Sequence, residues 1–365
     1  MDHQVGKLGG LTPTQRSTGS FYRRSPRLVA YWRGGRFIIH PYRSGPAYAA
    51  DPALVRLLDG LSAWTRLETS PALDRLVRQG LIEQAARPAR DRETAWDRWG
   101  HAAAFLHYST CNRDFLSQRR TNALVAERLH DTPPPPPIKT YRGRALRPLP
   151  AIDPTPFDAL LRDRRTWRRF GRAPLGIDDL SGVLHTTFAV QRWADLGRLG
   201  RVMLRSSPSG GARHPIEAYV LARRVAGLPN GAYHYAPHRH ALTALGGRIT
   251  RRGIVRMLAG QPWYGAADAV VVLTAVLARK AWAYPHARAY RSLLLEAGHF
   301  CQTFCLAATD RALAPFCTGA FYESAIEDAL GLDEGEPVLY VAGLGTRPRG
   351  VRWAPLPHGE SGLGE

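Results

Sequence analysis

The chain has 365 residues, 44% of them hydrophobic and 22% charged, with a formal net charge of +20. That length buries a large core and suggests two domains, and the composition excludes a disordered chain. No stretch nears the ~18 uninterrupted apolar residues of a membrane helix and the N-terminus has no apolar signal core, so no membrane is expected and a cytoplasmic location follows by default.

Residues 1–25 lack periodicity and read as a flexible tail. A helix-rich module is expected over 26–130. In it, residues 27–32 and 37–42 flank Arg33-Gly34-Gly35-Arg36, a hairpin signal because glycine supplies the positive φ of a tight turn. Leu54, Leu57, Leu58 and Leu61 share one helical face. A second helix is capped by Ser70, opened by Pro71 and ended by Gly80, with Leu73, Leu76 and Val77 inward. A hairpin with short helices reads as a winged-helix-like fold, whose open edge can take up an extended peptide by strand addition; on pattern alone it is equally a structural appendage. Residues 131–150, begun by Thr132 and Pro133, form a stiff proline-rich linker. The domain over 151–352 alternates helix and strand. Leu180, Val183 and Leu184 line a helix begun by Asp178-Asp179. Strands are expected over 216–225, 267–277 and 337–344. Leu294, Ala297, Cys301, Phe304 and Ala308 mark a long buried helix. This order favours a layered α/β or α+β domain. Residues 353–365 are left as a C-terminal tail.

The positive charge is nearly all arginine, with Lys7, Lys139 and Lys280 the only lysines. It suits an anionic partner, but no nucleic-acid module or zinc-finger spacing accompanies it. Cys111, Cys301, Cys305 and Cys317 lack metal-knuckle spacing, so no metal is expected. Cys301 and Cys305 read as small buried hydrophobes.

Three clusters can carry chemistry. In Arg164-Arg165-Thr166-Trp167-Arg168-Arg169-Phe170, the alternate residues Arg164, Thr166 and Arg168 would point one way in an extended stretch and grip a phosphate or a carbonyl-rich ring edge. The run Pro208-Ser209-Gly210-Gly211-Ala212-Arg213-His214-Pro215 leads into a strand, and paired glycines let backbone approach a ligand. The third, Gly343-Leu344-Gly345-Thr346-Arg347-Pro348-Arg349, ends the last strand in glycines and arginines that suit a phosphate. Taken singly, the first reads more readily as a solvated basic run, the second is equally an ordinary turn, and the third is a weak signal.

Together, in order and spacing, they resemble the nitroreductase-like flavoproteins, and within them the SagB/McbC-type dehydrogenases that oxidise azolines to azoles in peptide natural products. The resemblance also rests on Glu296-Ala297-Gly298-His299 with Gln302, on Gly319-Ala320-Phe321 with Gly331-Leu332-Asp333, and on Phe105-Leu106-His107 upstream. It implies an α+β fold: an FMN-binding domain with a mixed sheet flanked by helices, behind a small winged-helix-like domain that binds a precursor's leader segment. It implies that Arg164, Thr166 and Arg168 hold FMN, that Pro208, Ser209, Gly210 and Gly211 lie by its ring, that Gly319 offers backbone near it, and that Arg347 and Arg349 reach its phosphate. Homodimers with each FMN at the subunit interface are usual in the family, and a cyclodehydratase is a further partner. Arg213, Tyr290 and Arg291 are candidates for substrate contact. One departure stands out: many azoline oxidases carry a Lys-Tyr pair here, and the lysine has no counterpart in register, Lys280 being displaced by several residues. Tyr284 and His286 are the candidates for the proton step. His299 is expected to make a core hydrogen bond. Rival readings are an NAD(P)H-dependent flavin reductase and a peptide-binding scaffold.

Overall fold

A computed structural model describes residues 3–4, 19–88, 92–139, 143–145, 147–197 and 200–350. Two compact units divide them: Met1–Cys111 together with Tyr284–Tyr290, and Asn112–Ala283 together with Arg291–Glu365.

In the first unit the expected hairpin pairs Leu28–Arg33 with Arg36–Pro41, and Gly34 and Gly35 take φ of 55° and 72° at its turn. Asp51 caps the helix Pro52–Gly60 and Ser70 caps Pro71–Arg78, each accepting from the backbone N–H three residues on. Leu54, Leu58, Leu61, Leu73 and Leu76 are buried together with Tyr22 and Ile39. Part of the expected tail is structured. Ser20–Arg24 is the central strand of a three-stranded sheet, with Tyr22 fully buried in the core and Arg23 paired with Glu83 at 2.6 Å. The aromatic ring, buried on one face of a paired strand, outweighs the weak periodicity of so short a segment. The expected tail at 353–365 lies outside the described residues.

This unit closes at Cys111 rather than near 130, and it takes in Tyr284–Tyr290. Trp99 Nε1 donates to the Tyr284 carbonyl at 2.9 Å, and His107 Nδ1 lies 2.9 Å from Tyr290 Oη within a cluster that includes Trp96 and Trp99. The helix Gln118–Asp131, assigned to the module by sequence, belongs to the second unit. The described residues of 132–150 carry no helix or strand and are exposed, as a spacer requires.

The second unit is built on a six-stranded sheet in the order Ala241–Gly246, Gly231–Ala236, Ile216–Ala222, Ala269–Ala275, Val338–Thr346, Leu313–Thr318. Every pairing in it is antiparallel; in this unit, parallel pairing among the described residues is confined to the short strands Leu175–Gly176 and Val225–Ala226. Ala269–Ala275 is buried at every position, which explains its unbroken apolar run. Leu180, Val183 and Leu184 of the helix Ile177–Phe188 are buried as expected. The helix Arg288–Asp310 presents Leu293, Ala297, Phe300, Phe304 and Ala308 to the core, whereas Leu294 is 44% exposed. Ala297, Cys301, Phe304 and Ala308 are thus buried as expected, and Leu293 takes the place of Leu294 on that face. Among the described residues, no helix is long and apolar enough to cross a membrane.

His107 makes the first unit's stability pH-dependent. Burial pushes its pKa from the ordinary 6.5 down to about 4, so over that interval the unfolded chain binds a proton that the folded chain refuses. Its contribution is complete above about pH 6.5 and is lost as pH falls towards 4, on the order of 3 kcal/mol. Thermal unfolding should therefore shift down across this window, and His107→Gln should flatten the shift. An unchanged slope in the variant would remove His107 as its source.

Candidate functional site

The loop over 208–215 is held by a buried ion pair. Glu296, on the core-facing side of Arg288–Asp310, is 3% exposed and has both carboxylate oxygens engaged. Ser209 Oγ donates to Oε2 at 2.8 Å, the Gly210 N–H donates to Oε1 at 3.2 Å, and Lys280 Nζ donates to Oε1 at 2.7 Å. Lys280, on the helix Leu277–Ala283, also donates to the Gly210 carbonyl at 3.1 Å. A Cβ on Gly210 would lie 2.7 Å from this ammonium, so a larger residue there would push the lysine off its partners. Gly211, Ala212 and His214 all have positive φ, the last two without the freedom of glycine. The loop backbone is thus strained and locked from beneath, while Pro208, Gly210 and Gly211 are exposed above.

A second brace lies one residue away. Arg279 donates to the His214 carbonyl at 3.2 Å and to Glu217, and Glu217 also takes His234 Nε2 at 2.7 Å. Burial alone would raise the Glu217 pKa; the His234 hydrogen bond and the Arg279 charge outweigh it and hold the carboxyl below its ordinary value. Arg213 donates to the Gly211 carbonyl at 2.8 Å and lies 5.3 Å over the Trp282 ring.

The arginine cluster forms elsewhere. The Trp167 N–H donates to the Pro315 carbonyl at 2.8 Å, which lays the 164–170 segment along the edge strand Leu313–Thr318. Arg164, Thr166 and Arg168 are half-buried, while Arg165 and Arg169 are exposed. Arg347 donates to the carbonyls of Leu313 and Thr309, at 2.8 and 3.3 Å, and lies 5.4 Å over the Trp167 ring. Two buried donors, Trp167 Nε1 and Arg168 Nε, have no hydrogen-bond partner among the described residues. Asp268, fully buried, fixes the exit of both strands of the cluster: it accepts from Arg224 Nε at 2.6 Å and from the Thr346 N–H at 3.2 Å, and Arg224 reaches on to the Gly171 carbonyl at 2.8 Å.

The glycines of the third motif have a packing cause, not a phosphate-binding one. A Cβ on Gly343 would sit 2.5 Å from the Phe316 ring, and one on Gly345 would sit 2.9 Å from Phe170 and 3.0 Å from Asp268. Gly319 is exposed beyond the end of Leu313–Thr318, and Arg349 is exposed.

The first and third motifs therefore meet, and the 208–215 loop stands apart from them within one chain. Glu296 touches the loop and the Thr309 carbonyl touches Arg347. These helical positions are thirteen residues apart, a rise of roughly 20 Å. Tyr284 is half-buried and His286 exposed, their rings 6.3 Å apart, and both belong to the first unit. Tyr290 is 5% exposed and packed in that unit's aromatic core. Arg291 is exposed, and so is His299, where a core hydrogen bond was expected. Lys280, set aside as displaced, is the residue sequence reasoning missed. Its signal was Glu296 itself, which shares the helical face of Leu293, Ala297 and Phe300. A carboxylate on a buried face calls for a cation.

A model of the nitroreductase family matches residues 161–346, from the arginine segment to the end of the last strand. The chain belongs to the nitroreductase family. A protein of Methanocaldococcus jannaschii named as a nitroreductase is 28% identical over 195 residues, covering 53% of this chain and 94% of its own. The trifolitoxin-processing protein TfxB of Rhizobium leguminosarum bv. trifolii is 24% identical over 311 residues, covering 79% of this chain and 82% of its own. A solved nitroreductase structure from Anabaena variabilis is 30% identical and aligns with 53% of this chain at a TM-score of 0.45, but with only 38% of its own length.

In this family member, Lys280→Met or Glu296→Gln should each cost about 3–5 kcal/mol in denaturant unfolding, because each strands a buried charge. The double variant should cost clearly less than the sum. Additive losses in the double-mutant cycle would show that the pair is not the clamp.

Proposed function

We propose that the chain is an FMN-dependent dehydrogenase that oxidises thiazoline or oxazoline rings to azoles in a ribosomal peptide precursor. The observation that carries the cofactor is the orphaned buried donor Arg168 Nε on the 164–170 segment, where Arg347 lies over the neighbouring Trp167 ring. Buried donors without partners are costly, and an anionic phosphate satisfies them. The residues fit the group: Arg164, Thr166, Arg168 and Arg347, with Arg349 at the rim, would hold the phosphate end. The exposed backbone of Pro208, Ser209, Gly210 and Gly211 would lie by the ring, with Gly319 offering a further N–H. Bound FMN supplies the two-electron hydride acceptor.

The chain's own part is to bind, orient and deprotonate. The Lys280–Glu296 clamp keeps the loop in one shape, so that no reorganisation accompanies binding. Lys280 is engaged in the clamp, its side chain bonded to Glu296 and to the Gly210 carbonyl. Tyr284 and His286 are the groups assigned to accept the proton alpha to the ring carbonyl, and the half-buried Arg213 and the exposed Arg291 are assigned to the peptide.

The separation of loop and arginine cluster along one helix supports a homodimer in which each copy completes the other's flavin site. Leu294 and Leu295, 44% and 65% exposed, form the apolar contact in this reading. The likeness to TfxB extends well beyond the family's core domain, which supports a peptide substrate; a leader-binding, winged-helix-like role for the first unit, a cyclodehydratase partner and a cytoplasmic location complete the proposed reading.

Purified protein should be yellow, release FMN on denaturation, and remove two hydrogens per ring from an azoline peptide, read by mass spectrometry. Arg168→Ala should weaken FMN binding roughly tenfold to a hundredfold, the loss of a charge-assisted hydrogen bond. Bleaching by NAD(P)H with no change in any of a varied set of azoline peptides would replace this reading with a flavin reductase.

A further inference from the structure

We propose that the second unit carries a binding site for a zwitterionic amino acid with a large apolar side chain, in a cavity on one face of its six-stranded sheet. The cavity holds about 730 Å³, within the span of small-molecule sites. All of its lining belongs to this unit, and none of it comes from the three motifs assigned to FMN. Strand register sets the floor. Tyr219 pairs with His234 and His234 with Thr243, so the three share one face of the sheet. Glu217, two residues before Tyr219, lies on that face too, opposite Thr274. Met203 of the strand Arg201–Leu204 and the adjoining Arg205 form one wall, and residues 330–336, at the end of the helix Glu323–Leu330 and beyond it, form another.

Both signs of charge line the cavity. Arg205 is half-buried and among the described residues bonds only the Ile216 carbonyl at 3.3 Å and the Met203 sulfur at 3.7 Å. Its Nε is buried with no partner there. The adjacent acid, Glu217, is engaged instead by Arg279 and His234 in the brace behind the 208–215 loop. Glu336 holds the other sign. Its Oε1 accepts from Tyr219 Oη at 2.8 Å and from Thr274 Oγ1 at 2.7 Å, which leaves Oε2 without a bond among the described residues. Ile216 adjoins Glu217, and Glu217 pairs with Thr274, so the guanidinium and the carboxylate are anchored at neighbouring positions of adjacent strands. Strands lie about 5 Å apart, a spacing that one small molecule spans.

A carboxylate satisfies the guanidinium and an ammonium satisfies Glu336, with Asp333 of the same wall adding negative charge. A lone anion would meet Glu217, Asp333 and Glu336, and a lone cation would meet Arg205 and Arg279, whereas a zwitterion matches both signs. Apolar side chains complete the lining: Leu245 on the edge strand is 45% exposed, and Leu330, Leu332 and Pro237 face the same space. That surface calls for a side chain the size of leucine or phenylalanine, which removes apolar area from water on binding. Binding here does not depend on FMN.

The test is calorimetric titration of the full chain with L-phenylalanine, which should bind. Phenylpropanoate, which lacks the amine, and phenethylamine, which lacks the carboxylate, should each bind at least about tenfold more weakly, the loss of a charge-assisted hydrogen bond. Glycine, with no side chain to bury, should also fall below phenylalanine. Glu336→Gln keeps the Oε1 acceptor for Tyr219 and Thr274 and should bring phenylalanine down to the level of phenylpropanoate. Arg205→Met should bring it down to the level of phenethylamine, and the analogue series on the unaltered chain decides the matter if that variant does not fold. No binding of phenylalanine, leucine or tryptophan, equal binding of the three phenyl compounds, unchanged affinity in Glu336→Gln, or displacement of phenylalanine by FMN would overturn the proposal. Colourless protein that binds phenylalanine would sink only the flavin reading, and yellow protein that binds no amino acid would sink only this one.

Discussion

The site depends on a lysine and a glutamate that are both out of water. An isolated ammonium or carboxylate at 3% exposure would be expelled or neutralised. Lys280 and Glu296 remain because each satisfies the other, and because their remaining capacity is filled by Ser209 and by the N–H and carbonyl of Gly210. The loop therefore belongs to the ion pair's coordination. Its positive-φ residues, Ala212 and His214, are held by this clamp and by the Arg279–Glu217 brace beside it.

The arginine cluster rests on a different buried charge. Asp268 joins Arg224 to the Thr346 backbone, and Arg224 reaches the carbonyl of Gly171, so two segments far apart in the chain are stapled where Arg168 and Arg347 emerge. The glycines at 343 and 345 let Phe316 and Phe170 close against the strand at that point. What looked like a phosphate loop is tight packing that delivers an arginine.

These two assemblies meet one helix at different points, the loop at its middle and the arginine cluster at its C-terminal end, each organised around its own buried carboxylate. Neither has the donors of the other. That division leaves the strained loop and the arginine cluster mechanically independent, each braced by its own buried charge.

Much of this was legible from the chain alone. The turn at Gly34-Gly35, the cap at Ser70, and the buried run at 269–275 follow from local stereochemistry and from apolar patterning within a dozen residues. The family followed from motif order. Lys280 did not, because its partners lie 70 and 16 residues away and only packing brings them within hydrogen-bond distance. The phase of Arg288–Asp310, which exposes Leu294 and His299, and the membership of Tyr284 and Tyr290 in the first unit were likewise decided in three dimensions. The sequence determined which elements form and which residue types are present to bind an anion. Tertiary structure decided which charges are buried together, because desolvation depends on neighbours that no spacing in the chain specifies.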